Sequence, residues 1–126
     1  REDLKKRVEY INNSGADYFI SLHLNSYPSN TNVHGPMVYY AKNNEASKEI
    51  AMEIAGYLNK MSGVDKPIHA EDFYLFRKSN VPGVLIECGF LSNEKERTLL
   101  LKEDYQHKIA KTIYEGMDNY LLGKKI

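Results

Sequence analysis

The sequence has 126 residues, enough for one modest domain, and an apolar share of 42% suffices to fill a single core. Its 17 basic and 17 acidic side chains cancel, which argues against broad electrostatic capture of nucleic acid or of an acidic membrane surface. One cysteine, Cys88, rules out an internal disulfide, and no CxxC or Cys/His spacing of a metal finger is present.

In chain order, Leu4, Val8 and Ile11 stand at helical spacing and predict a first helix over residues 3–12. Its cluster Lys5, Lys6 and Arg7 is offset by Glu2, Asp3 and Glu9 and reads as a solvated face. Asn13, Ser14 and Gly15 end that helix. Residues 18–24, YFISLHL, read as a buried strand, and 25–36, with Pro28, Asn30, Asn32 and Gly35, as a loop. A second strand is expected over 37–40. Residues 45–61 then form a helix with Ile50, Ile54, Tyr57, Leu58 and Met61 as its apolar stripe, stopped at Ser62-Gly63. Residues 73–76 are expected to be a strand or an extended segment. The run 84–86 after Pro82-Gly83 is too short for a helix and suits a core strand. Asn93 is placed to cap a short helix to residue 101, with Glu96 in the capping-box position. The last helix covers about 105–122, with Ile109, Ile113, Met117 and Tyr120 on one side. Strands that alternate with helices predict an α/β domain with a largely parallel, twisted sheet flanked by helices.

In such sheets chemistry gathers at the carboxyl ends of strands, which directs attention to two residues. His23 lies in SLHLNS, on the same face of its strand as Ser21 and Asn25. A neutral imidazole there suits a metal, and it equally suits a partly buried histidine satisfied by a carbonyl. Glu87 ends the apolar run Val84-Leu85-Ile86. A carboxylate at the end of a buried strand is costly unless paired or employed, and burial would move its pKa toward the range of a general base. Pairing with Arg77 or another base is the structural alternative. His34 and His69 lie in polar loop stretches and are expected at the surface, and His107, on the last helix, is expected to be structural or exposed. No HExxH, GxSxG or phosphate-cradling glycine loop occurs. Cys88 reads as packing, not as a nucleophile.

Four segments in order carry a resemblance. ADYFI-SLHLNS (16–26) resembles a strand that reads ISIHxN in the zinc amidases of family three, the N-acetylmuramoyl-L-alanine amidases. GPMVYY (35–40) resembles that family's G-x-x-x-Y-Y strand, and FYLFR (73–77) its Y-V-L-R segment. VPGVLIECGFLSN (81–93) is similar to the signature P-x-V-L-V-E-x-G-F-L-S-N, the longest and most specific of the four. The opening 26 residues are also similar to the amidases of endospore formers that act on the spore cortex.

The resemblance implies a peptidoglycan hydrolase that cleaves the amide between N-acetylmuramic acid and L-alanine with zinc-activated water. It implies His23 as a zinc ligand and Glu87 as the catalytic acid-base residue, with Asn25 and Arg77 as candidates for positioning substrate. The family's other histidine, in a D-P-G-H-G stretch, and its glutamate ligand are absent from these residues. The expectation is therefore that residues 1–126 are the C-terminal part of a single amidase catalytic domain. Its N-terminal strands, two zinc ligands and any signal segment would lie upstream of Arg1, and by itself the chain would hold zinc weakly. The place of action would be extracytoplasmic, at the bacterial cell envelope. An activating protein partner is compatible with this, and oligomeric state is left open. Two rival readings stay in play: a non-catalytic, amidase-like module that holds glycan or protein, and an α/β hydrolase with another metal chemistry such as deacetylation.

Overall fold

The computed structural model describes residues 2–124. Helix α1 (Glu2–Asn13) buries Val8 and stops at Ser14-Gly15, where the Ser14 hydroxyl donates to the Ile11 carbonyl (2.7 Å) and Gly15 takes φ +76°. Four strands follow: β1 (Phe19–Asn25), β2 (Met37–Ala41), β3 (His69–Glu71) and β4 (Gly83–Phe90). They form one sheet in the order β1-β4-β2-β3. The pairs β1/β4 and β2/β3 are parallel, while β2 runs antiparallel to β4, so the parallel expectation holds for two of the three pairings. Gly83 is dictated by space, since a Cβ there would stand 2.3 Å from the Phe19 ring on the neighbouring strand.

One face of the sheet is the core. Helix α2 (Glu45–Ser62) is capped by the Asn44 side chain, which accepts from the Ser47 amide, and closed by Gly63 at φ 74°. It lays Ile50, Ile54 and Leu58 against Val38, Val84 and Ile86. Each of these large side chains, removed from water, contributes about 1.5–3 kcal/mol. Helix α5 (Glu103–Gly123) covers the same face with Ile109, Ile113 and Tyr120. The buried stripe of α2 is displaced from the one the sequence suggests. Tyr57 is exposed, and the small Ala51 and Ala55 are buried instead. Close helix packing explains the small residues: a Cβ at Gly116 of α5 would lie 2.7 Å from the Ile54 Cα.

Two elements depart from the sequence reading. Residues 74–78 form a helical turn, α3 (Tyr74–Lys78), not an extended segment. Phe73 and Phe76 stack at 5.6 Å, and Phe73 meets Tyr39 at 5.5 Å, so the aromatic residues that looked strand-like serve tertiary packing. Strand β3 was not anticipated; three residues of mostly polar sequence pair with β2 at the sheet edge. Helix α4 (Glu94–Leu100) begins as expected, with Asn93 accepting from the Glu96 amide (2.9 Å), but the Glu96 carboxylate does not reach back to complete a capping box. Instead, it accepts from the amides of Phe90 and Gly35.

Candidate active site

Alternation along β4 decides what faces where. Val84, Ile86 and Cys88 point into the core, so Leu85 and Glu87 point to the opposite face. On β1 the same parity brings out Ser21 and His23. The parallel register sets His23 directly beside Glu87, and on the other side the antiparallel register sets Met37 opposite Glu87. Beyond His23 the register slips, so that Asn25 pairs with Phe90. Helices α1 and α3 wall this face. A cleft of about 240 Å³ lies between them and the sheet, with Leu4 and Arg7 from α1, Phe73, Tyr74 and Leu75 around α3, and His23, Leu85 and Glu87 on the floor.

The floor is electrostatically uncompensated. Glu87 is half-buried, and among the described residues its Oε1 has no hydrogen-bond partner. Burial raises its carboxyl pKa above the ordinary value, because the charged form loses hydration without gaining a donor. Arg77 does not supply one. Its guanidinium donates to the Asp72 carbonyl at 2.7 Å and lies 3.8 Å from the Asp72 carboxylate, exposed at the surface. The His23 ring shares a 2.7 Å hydrogen bond with the Ser21 hydroxyl through Nε2. Burial, and then the Arg7 charge, hold its pKa below the ordinary value, which favours neutral imidazole. Tyr39 on β2 is pushed upward by burial, by Glu87 and by Glu71. The Cys88 thiol is pushed up to about 11 by burial and by the Glu87 charge, so it stays protonated and inert.

The sequence-derived candidates therefore separate. His23 and Glu87 are brought together in one cleft. Asn25 is turned to local bonds: its Oδ1 accepts from the Ser26 amide, and its Nδ2 lies 3.8 Å from the Met37 sulfur. Neither Asn25 nor Arg77 lines the cleft. His34 and His69 are exposed, as expected, and of the two readings open for His107 the exposed one holds. Sequence reasoning missed Arg7, which it placed on a solvated face; the guanidinium is exposed, yet it stands at the cleft rim. The available signal was the three-residue step from Leu4 to Arg7, which puts both on one side of α1. Phe73 and Tyr74 were missed as cleft walls because α3 was not recognised as a helix.

Comparison with known proteins adds the lineage. The family model described as N-acetylmuramoyl-L-alanine amidase matches residues 1–119. The chain belongs to that family. A germination-specific N-acetylmuramoyl-L-alanine amidase of Bacillus subtilis is 42% identical over 126 residues, 98% of this chain and 52% of the relative. Among solved structures, the CwlD amidase of Clostridioides difficile, in complex with the GerS lipoprotein, is 43% identical with a TM-score of 0.91, over 95% of this chain and 62% of that one. The catalytic domain of CwlV, an amidase from Bacillus (Paenibacillus) polymyxa var. colistinus, is 36% identical with a TM-score of 0.83, over 94% and 65%. The chain thus spans about half to two-thirds of the length of these family members. The mixed α/β sheet flanked by helices is the architecture they share with it.

Proposed function

We propose that the protein to which this chain belongs is a peptidoglycan amidase that hydrolyses the bond between N-acetylmuramic acid and the L-alanine of the stem peptide. The observation that carries the reading is the unpartnered Glu87 oxygen beside His23 in a cleft. A carboxylate with a raised pKa and a vacant acceptor atom is suited to take a proton from an attacking water and to return it to the leaving amide nitrogen. The Ser21 hydroxyl holds the imidazole at one ring nitrogen, which fixes the orientation of the ring. Leu4 and Leu75 in the walls and Leu85 on the floor give the carboxylate an apolar surround.

His23, neutral and beside an unpaired carboxylate, fits one corner of a zinc site. When bound, zinc supplies Lewis-acid polarisation of the scissile carbonyl and acidifies a water. Among the described residues no three His, Cys, Asp or Glu side chains converge to hold a metal. We therefore read residues 1–126 as the C-terminal part of the catalytic domain, with the remaining ligands supplied by the rest of the protein. The edge strand β1 supports this, because Leu22 and Leu24 are 58% and 53% exposed beside α5, apolar surface that a finished sheet edge would cover. Identity to the germination-specific relative supports a role on the spore cortex. The relative solved with a lipoprotein supports an activating protein partner at the cell envelope. Asn25 and Arg77 are carried as candidates for substrate contact in the whole protein.

The test is the product. With purified peptidoglycan and zinc, the whole protein should release new L-alanyl amino termini without new reducing sugar ends, and the 126-residue chain alone should release few. Binding of glycan with no new amino termini would establish the non-catalytic module instead. Loss of N-acetyl groups would establish a deacetylase.

A further inference from the structure

Glu96 is a carboxylate only 6% exposed, and it forms no ion pair among the described residues. Its Oε1 accepts from the Phe90 amide at 2.7 Å, and its two oxygens share the Gly35 amide at 2.9 and 3.0 Å. Both donors flank Glu87. Phe90 lies three residues beyond it on β4, at the point where the register with β1 slips to Asn25. Gly35 lies two residues before Met37, which stands opposite Glu87. The β1 end is tied in by the Leu91 amide, which donates to the Asn25 carbonyl at 2.8 Å. Gly89 makes room for the arrangement, since a Cβ there would lie 2.8 Å from the Glu96 carboxyl carbon.

We propose that Glu96 is a positioning residue: by clasping the exit of β4 to the entry of β2, it sets where the Glu87 carboxylate stands beside His23. The proposal rests on the acid-base reading of Glu87. A buried carboxylate that accepts from two amide donors is held in place, because moving it away strands both donors. A glutamine can keep one oxygen on both amides, but it turns an NH2 donor toward the Gly35 N–H where the second oxygen now accepts at 3.0 Å, which weakens that side of the clasp. An aspartate is one methylene shorter and cannot span both amides. Either change leaves the clasp slack, and a misplaced acid-base group loses rate before it loses substrate binding.

In the whole protein, Glu96→Gln and Glu96→Asp should be compared with wild type on purified peptidoglycan, at a temperature where circular dichroism shows each folded. The expected result is a kcat lowered by about 10- to 100-fold with KM within about twofold. A purely structural role changes the folded fraction and leaves kcat per folded molecule at the wild-type value; that result overturns the proposal. If neither variant folds, Glu96 serves folding and the proposal likewise falls. Glu87→Gln serves as the control. Wild-type turnover in that variant sinks the acid-base reading itself, whereas an inactive Glu87→Gln with a wild-type kcat for the Glu96 variants refutes positioning alone.

Discussion

Adjacent residues of β4 live in opposite environments. Val84 and Ile86 have no exposed surface and lie among the apolar side chains of α2 and α5. Leu85 and Glu87, one step away in each case, floor a cleft whose carboxylate has an unmade hydrogen bond. The core face gains stability from every atom it buries. The cleft face gives some up, because a half-buried charge without a donor costs free energy that a glutamine of the same shape would not. One strand thus separates the two tasks by parity alone, and substitutions on the two faces should fail in different ways.

The largest effect belongs to the cleft face. Glu87→Gln in the whole protein should keep the fold and the metal yet lose about two to four orders of magnitude in turnover, read by release of L-alanyl amino termini. Activity near wild type would erase the distinction between the faces. On the core face, Ile86→Ala should cost about 2–5 kcal/mol in a denaturant melt, while turnover per folded molecule stays near wild type. A core variant whose folded molecules are inactive would show the two faces to be coupled. His23→Ala should weaken zinc binding in the whole protein by at least about 10-fold with little change in stability; unchanged stoichiometry and affinity would remove His23 from the site.

The smallest effect follows from the direction of the Glu87 shift. Its pKa is raised in the folded state, so folding favours the protonated form. The stability contributed by that group is present below the unfolded carboxylate pKa and is lost as pH rises through the folded one. In metal-free protein, Glu87→Gln should therefore melt slightly above wild type at pH 7, and the gap should close in acid. A gap that widened in acid would mean that Glu87 is paired.

What the sequence determined by itself is the part encoded within a few residues of neighbouring chain. The 3.6-residue spacing of Ile50, Ile54 and Leu58, the cap at Asn93, the stop at Gly63 and the apolar run into Glu87 are short-range patterns with short-range causes. The motif around Glu87 was also legible, because its residues are contiguous. Tertiary structure decided the rest. FYLFR is too short to display a helical period, and its aromatic residues follow contacts with Tyr39, not their own strand preference. The register that sets His23 beside Glu87 joins residues 64 positions apart, and no local pattern carries it. The same holds for Glu96. Its place in the first turn of α4 was visible, but the amides that claim its carboxylate come from Gly35 and Phe90, brought to it only when β2 and β4 have paired.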